Sequence, residues 1–232
     1  MKKLTCLTLT IAAAALLPIC TKAQIIISEV DPAGSSASYG ADWFELKNTG
    51  SSAVDITGWE MDDSSDSFSK AVPLTGVTSI GAGQTIVFIE NTDPNGSGGA
   101  LLSPTDTTTL NANFASAWFG SNVPIELTLA NYGGSGVGLS TSGDAVNIFD
   151  SLGNAVTGVT FGAAPAGATF DNTAGLSGAI SQASVVGVNG AFSDGSEIGS
   201  PGNVAPVPEP TTFAMLGLGA AGLIGFYRNR RS

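Results

Sequence analysis

A twenty-residue stretch, Asp42–Met61 (DWFELKNTGSSAVDITGWEM), constrains the fold of this chain more than any other. In Trp43-Phe44-Glu45-Leu46-Lys47, Phe44 and Leu46 alternate with Glu45 and Lys47. That period of two puts successive side chains on opposite faces of a strand, so Lys47 alternates outward. Asn48-Thr49-Gly50-Ser51 has the residue types of a tight turn, and Val54 and Ile56 then resume the alternation. Gly58-Trp59 opens a third short run. Trp43 and Trp59 are the strongest apolar anchors, and strand packing predicts that they and Trp118 fill core rather than stack on sugar. The 31 glycines of the 232-residue chain fit many turns and short strands better than long helices.

Further strands are predicted on both sides of this stretch. Gln24–Val30 is β-branched, Phe68–Val72 reads as a short strand, and Thr85–Glu90 reads as a strong one. Ile125–Leu129 and Asp144–Asp150 alternate again, and Ser151-Leu152-Gly153-Asn154 makes a hairpin turn into Ala155–Phe161. Asn111–Phe119 is the one place where a short helix is expected, with Phe114, Trp118 and Phe119 packed inward. The Gly/Ala/Ser-rich stretch from Phe161 to Ser200 offers one further edge strand, at Ser184-Val185-Val186.

The two ends have a different character. Residues 1–23 read as a secretory signal peptide, with Lys2 and Lys3 first, an apolar run from Leu4 to Leu17, and Thr21-Lys22-Ala23 as the cleavage site. The run is shorter than the roughly 20 apolar residues of a membrane span. Pro18-Ile19 before Cys20 lacks the small residues of a lipoprotein site. Residues 24–203 form the expected domain. Residues 204–232 hold a linker, an apolar run ending at Tyr227 that predicts one hydrophobic helix, and a basic end with Arg228, Arg230 and Arg231.

Two family resemblances rest on these motifs. Glu45-Leu46-Lys47-Asn48-Thr49-Gly50 with Val54-Asp55-Ile56-Thr57-Gly58-Trp59, the Ile27-Ser28-Glu29 opening, the hairpin from Asp144 to Val156 and the closing Ser200-Pro201-Gly202 all resemble the lamin-tail domain. The resemblance implies an all-β, immunoglobulin-like β-sandwich over 24–203. Pro208-Glu209-Pro210, a hydrophobic segment and the basic tail resemble the PEP-CTERM sorting signal. This implies an exosortase-type membrane protease as partner, a transient membrane anchor at the C-terminus, and delivery through an inner-membrane intermediate to the cell surface or exterior. Extracellular polysaccharide and biofilm matrix are the associated destination.

Charge and residue types bound the chemistry. Between Gln24 and Val207 two basic residues, Lys47 and Lys70, face eighteen acidic ones, a net charge of −16. Such a surface repels phosphate backbones, so nucleic acid is not an expected partner. The sequence has no histidine, and its two cysteines, Cys6 and Cys20, fall in the signal segment. Ser-His and Cys-His nucleophile pairs are therefore absent from the mature chain. A carboxylate pair for glycoside hydrolysis remains the alternative to a non-enzymatic surface module. Asp62, Asp63 and Asp66 offer oxygen ligands for calcium, but they lack the regular Asp-x-Asp-x-Asp-Gly loop with its closing Glu. A solvated turn is the expectation there, with no metal and no cofactor.

Overall fold

A computed structural model describes residues 25–202. The signal segment, the C-terminal hydrophobic helix, Pro208-Glu209-Pro210 and Arg228, Arg230 and Arg231 lie outside the described residues.

The alternating stretches become strands: β1 (Ile25–Asp31), β2 (Trp43–Asn48), β3 (Val54–Asp55), β4 (Glu60–Asp62), β5 (Val72–Pro73), β6 (Ser79–Ile80) and β7 (Thr85–Glu90). A helix α1 (Pro104–Phe119) comes next, then β8 (Leu129–Tyr132), β9 (Asp144–Phe149) and β10 (Ala155–Phe161). Four short strands close the described chain: β11 (Phe170–Asp171), β12 (Gly178–Ile180), β13 (Phe192–Ser193) and β14 (Ile198–Gly199). Two five-stranded sheets result, with orders β11-β1-β2-β7-β8 and β12-β10-β9-β4-β5, beside two small ladders, β13-β14 and β3-β6.

The sheets face each other across one apolar core. The first sheet contributes Ile27, Val30, Phe44, Leu46, Ile86, Phe88 and Tyr132, and the second Met61, Val146, Ile148, Val159 and Phe161. Phe44 and Phe88 sit opposite in register and stack at 5.4 Å. Burying side chains of this size stabilises by about 1.5–3 kcal/mol each. The architecture is an immunoglobulin-like β-sandwich, as the alternation and the resemblance imply. The hairpin between β9 and β10 turns where its sequence says it should. Asp150 Oδ1 accepts from the backbone N–H groups of Leu152 and Asn154, and Gly153 takes φ 82°.

Four expectations are corrected. The helix starts seven residues earlier than Asn111, because Ser103 caps it and Pro104 occupies its first turn. Ser103 Oγ accepts from the Asp106 N–H at 3.2 Å. Phe68–Val72 is no strand: Phe68–Lys70 forms a 3₁₀ turn, closed by Lys70 N–H to Ser67 O, and only Val72 and Pro73 pair with β4. Ile125 is 94% exposed in a turn after Pro124, so the strand begins only at Leu129. Ser184-Val185-Val186 makes no edge strand. Val185 and Val186 are exposed in a turn, and the edges are β11 on β1 and β12 on β10.

The connection from β7 to β8 covers part of the first sheet. These neighbours are parallel, so the chain must cross over between them, and α1 makes that crossover. Leu110, Phe114 and Trp118 on α1 pack against Tyr39, Trp43, Val87 and Ile89, which form a second apolar cluster.

Candidate functional site

Alternation along β1 and β2 sends one set of side chains into the sandwich and the other to the outer face of the first sheet. That outer face is also dry. All seven residues of β1 and all six of β2 are buried. Glu45 is fully buried and Lys47 only 7% exposed. Lys47 does alternate outward, but outward here leads under other parts of the chain. One end of the face lies under α1. The other lies under residues 165–202, which return over β1 and β2 after completing the sheet edges.

A bulge in β1 at Ser28 sets up the polar part of this face. Ile27 pairs with Leu46 and Glu29 with Glu45, so the extra residue Ser28 shares the outer face with Glu29. Its hydroxyl donates to Glu45 Oε2 at 3.1 Å. Two glutamates thus stand side by side on adjacent strands, with Asp31 next along β1.

The closing segment supplies their partners. Ser200 N–H donates to Glu29 Oε1 at 2.8 Å, and Ser200 Oγ donates to Glu29 Oε2 at 2.8 Å. Thr169 Oγ1 donates to Glu29 Oε1 and also contacts Ser184 Oγ. Gly202 N–H donates to Glu45 Oε1. Gly199 passes so close that a Cβ there would meet Glu29 Oε1 at 2.8 Å and the Trp118 ring at 2.9 Å. Only glycine lets the chain approach this far.

A tyrosine joins the third carboxyl to the same segment. Tyr39 OH lies 3.1 Å from Asp31 Oδ2 and 2.9 Å from Glu197 Oε2, and it accepts from Trp43 Nε1 at 3.0 Å. A phenol has one proton to donate. With both carboxyl oxygens at hydrogen-bond distance, one of the two acids must itself be protonated and donate back.

The electrostatics agree with this count. Burial pushes Glu29, Asp31 and Glu197 up to about 7, aided by the charges of Asp171 on Glu29, of Asp42 and Glu29 on Asp31, and of Asp31 and Asp194 on Glu197. Burial and then the neighbouring Glu29 charge hold Glu45 well above the usual carboxylate range. Asp42 rises to about 6, again through burial first. Lys47 is lowered by burial, with the Glu45 charge opposing. Glu29, Asp31, Asp42 and Glu197 are thus poised near neutrality, and one lysine, Lys47, stands beside the raised Glu45.

The acidic loop behaves differently. Asp62 is 1% exposed at the end of β4, and its Oδ2 accepts from Ser65 Oγ and from Ser67 N–H, each at 2.7 Å. Asp63 Oδ1 accepts from Ser65 N–H at 2.9 Å. Asp62 Oδ1 has no hydrogen-bond partner. Among the described residues no group of three or more acidic side chains is arranged to hold a metal ion.

Sequence reasoning misses the carboxylate cluster as a unit. Its signal is present as acids at Glu29, Asp31 and Glu45 inside otherwise apolar strands, where a solvated face needs no such company of Ile, Trp and Phe. Trp43, Trp59 and Trp118 are 0%, 8% and 3% exposed and pack within the apolar clusters. Phe119 is half-buried and packs on Phe192 at 5.5 Å.

Residues 20–163 match the family model of the Lamin Tail Domain. The chain belongs to that family. Residues 206–231 match the PEP-CTERM protein-sorting motif, which marks an exported chain processed by an exosortase and sorted to the cell surface or extracellular space. No curated protein matches the chain as a relative. The lamin-tail match ends just after β10, so Thr169, Glu197, Ser200 and Gly202, which the returning chain brings to the buried acids and Tyr39, all lie beyond it. Among the described residues no helix is long and apolar enough to cross a membrane. The anchor expected from the sequence falls in the matched C-terminal segment, outside those residues.

Proposed function

We propose that this lamin-tail protein is a non-enzymatic structural or adhesive module of the cell surface or extracellular matrix, with extracellular polysaccharide as a candidate partner. The observation that carries this reading is the use made of the concentrated acids. Glu29, Asp31, Glu45 and Glu197 are each at most 9% exposed, and each is bonded to its own chain. They hold the closing segment in place.

The neighbouring pair Glu29 and Glu45, both raised by burial, is also what a glycoside hydrolase would need. However, β14 and Ser200–Gly202 cover both, leaving no room for a sugar. A glycan-hydrolysis screen with the wild type and with Glu29→Gln and Glu45→Gln separates the readings. The surface-module reading expects no turnover from any of the three. Turnover by the wild type that either substitution abolishes would establish the enzyme.

Sorting is read as a two-stage passage. The segment from Phe213 to Tyr227 has 15 residues, about 22 Å as a helix and short of a roughly 30 Å hydrocarbon core. It suits a temporary anchor, with Arg228, Arg230 and Arg231 retained on the cytoplasmic side. Cleavage near Pro208-Glu209-Pro210 then frees the domain. Mass spectrometry of the surface form is expected to find Arg228–Ser232 missing. Replacing Pro208, Glu209 and Pro210 by alanine is expected to leave a longer, membrane-bound product. An intact C-terminal peptide on the released protein overturns this.

A further inference from the structure

Within six residues the closing segment makes three ties to the outer face of the first sheet, and every tie ends on an ionisable group. Glu197 meets Tyr39, which also meets Asp31; Ser200 meets Glu29; Gly202 meets Glu45. Among the described residues, one cation is near to offset these acids, Lys47, which lies beyond Glu45 on β2. The other basic residue, Lys70, belongs to the 3₁₀ turn before β5 in the second sheet.

Apart from Lys47 and the Tyr39 phenol, the titratable groups facing the cluster are acidic. From the first sheet and the loop before it come Glu29, Asp31, Tyr39, Asp42, Glu45 and Lys47, with Glu90 on β7 acting on Asp42. From the returning chain come Asp171, Asp194 and Glu197. From α1 come Leu110, Phe114 and Trp118, which carry no charge.

We propose that residues 197–202 are a proton-locked latch, closed while the carboxyls beneath them share protons and released from the sheet as those protons are lost. The proton count at Tyr39 is the ground for it. With Asp31 and Glu197 both ionised, the single phenolic proton can satisfy only one, and two buried negative charges are left facing the same phenol oxygen. Glu29 and Glu45 stand opposite each other on adjacent strands, and the Glu29 charge disfavours ionising Glu45. When the segment lifts, Glu197 reaches water, and Glu29 and Glu45 lose the cover that buries them.

The direction comes from linkage. Acids raised in the closed state bind protons that the open state has already given up at the same pH. The closed state is therefore favoured at low pH, and this advantage is lost as pH rises through about 7, where Glu29, Asp31 and Glu197 titrate. Each proton released on opening raises the opening constant about tenfold per pH unit between about pH 5 and 7.

The latch ends where the sorting segment begins. Five residues separate Gly202 from Pro208; with residues 197–202 released there are eleven before Pro208. At about 3.4 Å per residue, the greatest reach between folded domain and motif grows from about 17 Å to about 37 Å. This consequence rests on the sorting reading. The latch itself does not.

Hydrogen exchange of the full chain in mild detergent, at several pH values from 5 to 8 and corrected for intrinsic rates, tests the latch without any exosortase. Protection over 194–202 is expected to fall at least a hundredfold between pH 5 and 7, while β9 and β10 keep theirs. Glu197→Gln and Glu29→Gln each remove a titrating group and are expected to flatten the fall by about tenfold per pH unit. Glu197 is the least buried of the acids, so its variant keeps the test open should Glu29→Gln not fold. Gly199→Ala is expected to leave 194–202 unprotected at every pH, because its methyl collides with Glu29 and Trp118. Glu60→Gln, on β4 of the second sheet and away from the cluster, is expected to behave as the wild type does. Flat protection in the wild type overturns the proposal. So does a fall that Glu197→Gln leaves unchanged, or one that β9 and β10 share equally.

Discussion

On the inner face of β2, Phe44 and Leu46 are buried among the aliphatic and aromatic side chains of the facing sheet. One residue away, on its outer face, Glu45 and Lys47 are buried too, under chain that arrives more than a hundred residues later. The inner face stays dry because it is apolar, and its energy scales with area. The outer face stays dry because each acid is met by a backbone N–H, a hydroxyl or a shared proton, and burial without such a partner would be costly. The first kind of burial is indifferent to pH and sensitive to lost volume. The second tolerates changes of pH only as far as its protons last.

Removing the cover is the most severe way to break this comparison. A chain ending at residue 163 keeps the whole lamin-tail match but loses β11 and β12, Phe170 and Ile180 of the inner core, and every donor that Thr169, Ser200 and Gly202 provide. Both β1 and β10 then become edges. This truncation is expected to show no cooperative thermal transition at pH 7 by circular dichroism. A wild-type melt would mean that the returning chain is decoration and that the outer face is stable in water.

Point substitutions set the two faces against each other. Phe44→Ala is expected to cost about 3–5 kcal/mol in denaturant unfolding, through lost contacts with Phe88 and Tyr132 and the cavity left behind. Glu45→Gln at pH 7 is expected to cost less than about 1 kcal/mol, since burial already disfavours the ionised form and the amide oxygen can still accept from Gly202. Equal losses would erase the distinction between the faces.

How far the sequence reached runs along the same division. The inner face was legible because a period of two with apolar anchors has one outcome, and Phe44, Leu46, Val54 and Ile56 announce it. The hairpin after Phe149 was legible because Asp150, Gly153 and Asn154 are local turn chemistry. The outer face was not legible. Alternation says which residues share a face, and it says nothing about whether water or a later part of the chain covers them. The stretch from Phe161 to Ser200 has no strong period. Its strands are two or three residues long; β11 and β12 exist because β1 and β10 offer unpaired edges, which no local pattern encodes. The helix boundary failed for a smaller reason: the weight given to Phe114 and Trp118 hid the Ser103-Pro104 start.

A smaller effect tests the inner face from the opposite side. Tyr132 puts a hydroxyl into the apolar core with no hydrogen-bond partner, whereas every acid of the outer cluster has one. Deleting that hydroxyl removes a desolvated group and opens little space. Tyr132→Phe is therefore expected to leave stability unchanged or to raise it by up to about 1 kcal/mol in chemical denaturation. A loss larger than that would mean that the hydroxyl has a partner, and that the inner face is less purely apolar than its geometry indicates.

The smallest effect is expected at Asp62, a buried acid on the second sheet that stands apart from the outer cluster. Its Oδ2 takes two donors from the loop it begins, Ser65 Oγ and Ser67 N–H, while Asp63 and Asp144 accept from the backbone of Ser65 and Ser64. The loop Asp62–Ser67 is thus closed by its own hydroxyls and amides and does not need an ion to hold its shape. Thermal melts with chelator and with millimolar calcium are expected to coincide. Asp62 Oδ1 is the buried oxygen in this loop that lacks a donor, so it marks where an ion would have to coordinate. A calcium-dependent rise of several degrees, removed by Asp63→Asn, would show that this loop, unlike the cluster beneath the latch, offsets its buried charge with a metal instead of a proton.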